Sequence, residues 1–237
     1  MKLTHYGHAC VLVELSVGDE IIRFLCDPGG YSRDFEHEAD IDAVFITHAH
    51  ADHVDGERLG RLLADNPSAE LVLNAHTQTA LARLWDIAPG RMRVVGPEST
   101  FVLRGVKVEV VGGDHACIHA ALPTVPNNGY IIDGGLLHPG DALDNPAGAV
   151  DVLLLPIGGP WMKMARRSTT CGRWRHGSPC RSTKPASPRS TRRCIAVCCA
   201  TWRRTGPRSR SSSTGSHRMS GRRGEHSAAR RPPGRRA

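Results

Sequence analysis

Whatever compact structure this chain forms must be built almost wholly from its first 165 residues. Residues 1–165 carry 11 Lys+Arg and 22 Asp+Glu, a net charge of −11, whereas residues 166–237 carry 20 Lys+Arg and one acid, Glu225, a net of +19. The second stretch has no Leu, Phe, Tyr, Asp, Asn or Gln, and Arg, Ser and Pro dominate it. Such a segment cannot bury enough apolar surface to offset the entropy of ordering it. The expectation is therefore a folded body, residues 1–164, followed by a disordered basic tail, residues 165–237. The formal charge of +8 describes neither part. No apolar run reaches the ~18 residues needed to cross a membrane, and the start, Met1-Lys2-Leu3-Thr4-His5, lacks the apolar stretch of a secretory signal. A cytoplasmic protein is expected, with Cys10, Cys26 and Cys117 as small buried hydrophobes in a reducing compartment.

The body reads as alternating strands and helices. Val11–Leu15 and Ile21–Cys26 are β-rich runs joined by a plausible hairpin at 16–19, and Asp27-Pro28-Gly29-Gly30 stops the second run. Ala43–Thr47 is short and almost wholly apolar, which suits a strand buried on both faces. Gly56–Asn66 places Leu59, Leu62 and Leu63 at helical spacing, and Thr77–Trp85 is a second amphipathic helix. Further strands are predicted at 71–73, 94–95, 101–103, 106–111, 130–133, 136–137 and 152–155. The pattern belongs to the α/β class, with strands outnumbering helices and several strands ending at a polar cluster.

The strongest local signal is Thr47-His48-Ala49-His50-Ala51-Asp52-His53, directly after the buried strand. Four potential ligands in six residues are costly to desolvate unless a cation compensates them. Imidazole and carboxylate at this density suit zinc, manganese or iron rather than calcium. No Gly-x-Ser-x-Gly elbow and no glycine-rich phosphate loop supports a serine hydrolase or a kinase.

His48-Ala49-His50-Ala51-Asp52-His53 resembles the HxHxDH signature of the metallo-β-lactamase superfamily. Asp114-His115 and Gly140-Asp141 follow in the family's order, and Tyr6-Gly7-His8-Ala9-Cys10, Asp27-Pro28 and Pro156-Ile157-Gly158-Gly159 resemble its ascorbate-6-phosphate lactonase-like branch. The resemblance covers residues 1 to about 164 and implies an αββα sandwich with a dinuclear site along one edge of two sheets. It implies His48, His50 and a third histidine as ligands of a first divalent ion, Asp52 and His53 as ligands of a second, and Asp141 as the bridge. His115 is preferred over His119 as the third ligand because it stands at a strand end. Asp52 is also the candidate catalytic base, and His8 and His119 are candidates for substrate contact. His5, His37, His76 and His138 are expected to be non-ligands. The implied activity is attack by a metal-bound hydroxide on an ester, lactone or phosphoester, with two ions, zinc first and manganese or iron otherwise.

The tail departs from this resemblance. The branch closes its fold with a helix and then a strand ending in Pro-Ile-His, whose histidine completes the second metal site. His176, His217 and His226 match nothing of the kind, so the last strand and helix are expected to be missing or replaced by the disordered tail, and the second ion to be weakly held. Codon arithmetic supplies a reason. If each codon takes the last base of one residue and the first two of the next, residues 166–175 permit Ala-Val-Asp-Tyr-Val-Arg-Ala-Val-Ala, and 179–186 permit Val-Pro-(Val/Ile/Leu)-His-Glu-Ala-Gly. One shift at or just after Met164-Ala165 thus recovers helix, strand and ligand together. The alternative is a catalytically impaired metal-binding scaffold whose genuine basic tail binds nucleic acid non-specifically and with strong salt dependence. Apart from that, the expected partner is a small-molecule substrate and not a membrane.

Overall fold

The computed structural model describes residues 1–82, 89–117, 119, 121–143, 148–159 and 193–197. Two six-stranded mixed sheets face each other. The first runs β1 (Lys2–His5), β2 (Val11–Val17), β3 (Glu20–Cys26), β4 (Ala43–Phe45), β5 (Glu70–Leu73) and β6 (Met92–Val94) in chain order. β1, β2 and β3 pair antiparallel, and β3 through β6 pair parallel. The second sheet has the order β12-β11-β10-β9-β8-β7, from β7 (Thr100–Leu103), β8 (Val106–Asp114), β9 (Pro126–Ile132), β10 (Leu136–His138), β11 (Val152–Pro156) and β12 (Arg193–Val197). It too begins as an antiparallel meander and ends with parallel pairs, β10 with β11 and β11 with β12.

Alternation along each strand builds the layers. Val11, Val13, Phe24, Cys26, Ala43, Phe45 and Val72 point inward, meeting Val106, Val108, Val110, Tyr130, Ile132, Leu136 and Leu154 of the second sheet. The intervening residues Leu12, Leu25, Val44, Leu71 and Leu73 point outward and pack with Leu59, Leu62 and Leu63 of helix α1 (Gly56–Asp65) and Leu81 of helix α2 (Ala75–Leu81). Both faces of the central strands are thus buried, as their unbroken apolar runs require. A smaller cluster of Ile131, Leu137, Val150, Leu153 and Leu155 marks the outer face of the second sheet. The helix expected to follow residue 164 lies outside the described residues. Tyr130, fully buried, crosses the sandwich: its hydroxyl donates to the Ile46 carbonyl at 2.8 Å, and its ring packs edge-on against Phe45.

One detail of the expected fold is corrected. The edge beyond β11 is not left bare, because Arg193–Val197 pairs with Val152–Pro156 in parallel. A strand edge offers a row of unpaired N–H and C=O groups, and Ile195-Ala196-Val197 is a stretch of the basic region with strand propensity. β1 was also absent from the sequence reading; it is a half-exposed edge strand without an alternating pattern. No helix among the described residues is long and apolar enough to cross a membrane.

Candidate metal centre

β4 runs through Ile46 into the His-rich loop, and the loop ends at α1, where Asp55 accepts from Arg58 N–H at 3.1 Å and caps the helix. Between them the chain turns tightly, with His53 N–H and Val54 N–H both donating to the His50 carbonyl at 2.9 Å. The Asp27-Pro28-Gly29-Gly30 turn lies directly beneath. Gly30 N–H donates to Ala51 C=O at 2.8 Å and Asp55 N–H to Pro28 C=O at 3.1 Å. A Cβ on Gly29 would lie 1.8 Å from the Asp52 carbonyl oxygen, so only glycine permits this approach.

Asp27, fully buried, organises the loop from inside. Its carboxylate accepts from Thr47 N–H at 2.8 Å, from Thr47 Oγ1 at 2.7 Å, and from His53 Nδ1 at 2.8 Å. With its proton given to Asp27, the Thr47 hydroxyl can only accept from His48 Nδ1, 3.0 Å away. Both imidazoles are therefore held with Nδ1 as donor and Nε2 turned to the cleft, where His50 Nδ1 stands 3.0 Å from that of His48 and Asp141 Oδ1 3.4 Å from that of His53, the orientation a metal ligand needs.

The second sheet contributes two separate strand ends. His115 follows β8, donating from N–H to Val125 C=O at 2.8 Å and from Nδ1 to Ala116 C=O at 2.6 Å, which again leaves Nε2 for the cleft. Asp141 follows β10 and is fixed by Asn127, which accepts from Asp141 N–H at 3.1 Å and donates to Pro139 C=O at 2.9 Å. Gly140 takes φ +60°, and a Cβ there would lie 2.3 Å from Asn127 Oδ1. Asp141 then directs Oδ1 to His53 Nε2 at 3.4 Å and Oδ2 to His115 Nε2 at 3.3 Å.

The fold thereby gathers three sets of donors: His48 with His50 and His115; His8 with Asp52 and His53; and His48 with His53 and Asp141. Within each set the donor atoms lie within 4.8 Å of one another. The ring centroid of His48 stands 4.6 Å from that of His50, 4.1 Å from His53 and 5.0 Å from His115. Burial pushes the His48 imidazole far below its usual pKa, helped by the neighbouring histidines and opposed by Asp141; burial also lowers His50. Burial opposes ionisation of Asp141, but His115, His53 and His48 outweigh it and hold the carboxyl well below the usual range. Burial likewise disfavours charge on Asp52, yet the imidazoles of His8 and His53 keep it ionised. Neutral imidazoles and ionised carboxylates are the forms that bind a divalent cation, so this donor chemistry fits such ions.

All six residues expected as ligands, His48, His50, Asp52, His53, His115 and Asp141, thus meet at one edge of the sandwich. His119 does not join them: it is exposed, and its Nδ1 accepts from Ala121 N–H at 3.1 Å. His138 is buried within the frame, its Nε2 3.1 Å from Ala9 C=O and its Nδ1 accepting from Gly140 N–H at 3.1 Å. Cys10 and Cys26 are core residues, but Cys117 is exposed. It sits two residues beyond the strand-end histidine, where the chain has left the core, and lines a pocket of about 210 Å³ with His50, His115, Leu122, Pro123 and Val125. The sequence reading saw Asp27 only as a turn residue and as part of the branch's Asp-Pro motif, and did not single out Thr47 or Asn127. An aspartate directly after a buried strand was the available signal for Asp27; Asn127 gave none.

Two facing mixed sheets whose strand ends converge on buried histidines and carboxylates define a metallohydrolase scaffold of the β-lactamase type. Residues 2–173 match the beta-lactamase superfamily domain. Protein Rv0786c of Mycobacterium tuberculosis is 41% identical over 170 residues, covering 70% of this chain and 75% of that protein. A UPF0173 metal-dependent hydrolase of Opitutus terrae is 33% identical over 179 residues, covering 67% and 73%. A solved structure from Parabacteroides distasonis, described as a metal-dependent hydrolase, shares the fold at a TM-score of 0.55 and 21% identity, over 73% of this chain and 76% of that one. The chain belongs to the metallo-β-lactamase superfamily of metal-dependent hydrolases.

Proposed function

We propose that this chain hydrolyses an ester or lactone, with a phosphoester as the less favoured substrate, at a centre of two divalent ions. The observation that carries the reading is the Asp141 carboxylate, whose two oxygens face different histidines, His53 and His115. In this reading His48, His50 and His115 would hold one ion, Asp52 and His53 would help to hold the other, and Asp141 would serve both. Zinc suits the donor set best, with manganese and iron next. When bound, such ions acidify a water and polarise a carbonyl or phosphoryl oxygen.

The chain's own groups do the rest. Asp52 is half-buried and kept ionised, so at neutral pH it can orient the attacking water and take its proton. Asp27 and Thr47 fix the histidine rings before any ligand arrives, which lowers the reorganisation needed in the reaction. The pocket beside His50 and His115 has an apolar wall of Ala116, Leu122, Pro123 and Val125, which suits an uncharged acyl or alkyl group and favours ester or lactone. A panel of lactones, carboxylic esters and phosphodiesters, assayed with added zinc or manganese, tests this. Metal-dependent turnover of a lactone or ester, abolished in His48→Ala, is expected; no turnover of any member with either metal would sink the reading.

The tail carries a second proposal. The family match stops at residue 173, and the aligned region covers 75% of the mycobacterial relative, so its remainder has no counterpart in this alignment. This supports a shifted reading frame after Met164-Ala165, which would give the tail's charge no functional meaning. Resequencing the gene and transcript through the codons for residues 160–186 decides it, and an intact frame in both favours the impaired scaffold with a nucleic-acid-binding tail. A salt titration of DNA binding then tests that scaffold: affinity should fall steeply with salt if 19 net positive charges act on phosphates.

A further inference from the structure

One buried imidazole beside the centre has no ligand role in the reading above. His8 sits between β1 and β2, in a loop closed by Cys10 N–H donating to Gly7 C=O at 3.1 Å and tied down by Ser32 Oγ donating to the same carbonyl at 3.1 Å. Its side chain is only 4% exposed, and the polar group beside its Nε2 among the described residues is the Asp52 carboxylate, without the geometry of a regular hydrogen bond. A buried imidazole and carboxylate placed together in this way are costly to desolvate unless a cation or a proton compensates them. The same nitrogen lies 3.0 Å from Asp52 Oδ2, and the donor atoms of His8, Asp52 and His53 all fall within 4.8 Å. The backbone of His8 takes φ +51°, a left-handed conformation that histidine adopts infrequently, so the fold holds the ring there against local preference. A tetrahedral ion with bonds of ~2.0–2.2 Å keeps its donors about 3.5 Å apart, a spacing within the 4.8 Å that spans these atoms.

We propose that His8 is a ligand of the second ion. This rests on the dinuclear reading given above. Asp52, His53 and Asp141 offer that ion three protein donors, and His8 supplies a further one in place of the strand-end histidine that residues 165–237 do not match. The opening Gly7-His8 turn then belongs to the metal centre, not to substrate contact, and the second site draws its ligands from three separated segments of the chain.

The test is a metal titration of the full chain, following zinc stoichiometry and the visible absorption of cobalt(II) added stepwise. His8→Asn is the main variant, because asparagine tolerates the left-handed backbone and removes the imidazole; His8→Ala is the second. The wild-type chain is expected to take two equivalents. In both variants the first equivalent binds as in wild type, and the second weakens by at least about 100-fold, the upper end of what loss of a merely supporting residue causes. The ligand-field bands of the second cobalt should also change in His8→Asn. Second-site affinity within about twofold of wild type, unchanged second-cobalt bands, or a wild-type chain that takes only one equivalent would each overturn the assignment. Failure of the wild type to bind even a first equivalent would instead overturn the hydrolase reading itself.

Discussion

The two sheets furnish the centre in opposite ways. The first delivers His48, His50, Asp52 and His53 from one continuous loop, braced beneath by Asp27 and Gly29 and anchored at its far end by α1. The second delivers His115 and Asp141 from two strand ends, joined by Ala116 N–H donating to Asp141 C=O at 2.8 Å and fixed by Asn127. One side is a single rigid unit; the other is two units held in register. Damage to the loop should therefore be all-or-none, whereas damage to the second sheet should be graded.

Breaking that contrast should cost most at the residue the two sides share. Asp141→Ala removes the carboxylate between His53 and His115, and is expected to abolish tight binding of both ions and to lower kcat/KM by about 10³-fold or more. Elemental analysis and steady-state kinetics check this; a variant keeping one ion and a tenth of the activity would remove Asp141 from its bridging place. Next comes Gly29→Ala, whose methyl would meet backbone atoms of Asp52 at 1.8 and 2.1 Å. The loop must move, so a loss of about 3 kcal/mol in urea unfolding is expected, together with the whole metal centre. Gly140→Ala, at φ +60°, would meet side-chain atoms and no backbone, Asn127 Oδ1 at 2.3 Å and Thr47 Cβ at 2.7 Å, and should retain part of its first-site affinity. Equal loss in the two glycine variants would erase the distinction between loop and strand ends.

Smaller effects sharpen the picture. Asp27→Asn leaves the volume but weakens the grip on His53 and Thr47, and metal affinity should drop about 10–100-fold, measured by chelator competition. The smallest predicted effect is on pH. Burial lowers the His138 pKa in the folded state below its unfolded value, partly offset by Asp27 3.5 Å away. As pH falls below about 6.5 the unfolded chain takes up a proton that the folded one refuses, so stability falls with acidity. His138→Gln should flatten the acid slope of the metal-free protein by up to about 1.4 kcal/mol per pH unit, seen in urea midpoints between pH 7 and 5.5. An unchanged slope would assign the acid sensitivity to other groups.

The same contrast explains what the sequence could reveal. The loop was legible because its ligands are consecutive and follow an apolar run, so composition alone marks it as a polar cluster at a strand end. The central strands were legible too, since Val44 and Phe45 serve opposite faces and leave no polar position. His115 and Asp141 are 26 positions apart and each is an ordinary strand-end residue; only the family's order of motifs singled them out. Asp27 and Asn127 stayed hidden because what they do depends on which segment the fold stacks above them. His8 was left between packing and function for the same reason: its neighbours Asp52 and His53 come from a loop some forty residues later. Arg193–Val197 could not be foreseen, as its pairing depends on the open side of β11 and not on its own surroundings.

The Tyr130 hydroxyl, donating to Ile46 C=O one residue before the loop begins, works as a spacer bar between the sheets. Apolar contacts between the sheets are non-directional. A directional bond at this point pins β9, which carries Asn127, to β4, which carries the loop, and so sets the width of the jaw in which His48 faces His115. The aromatic ring fills the core, and the oxygen calibrates the cleft.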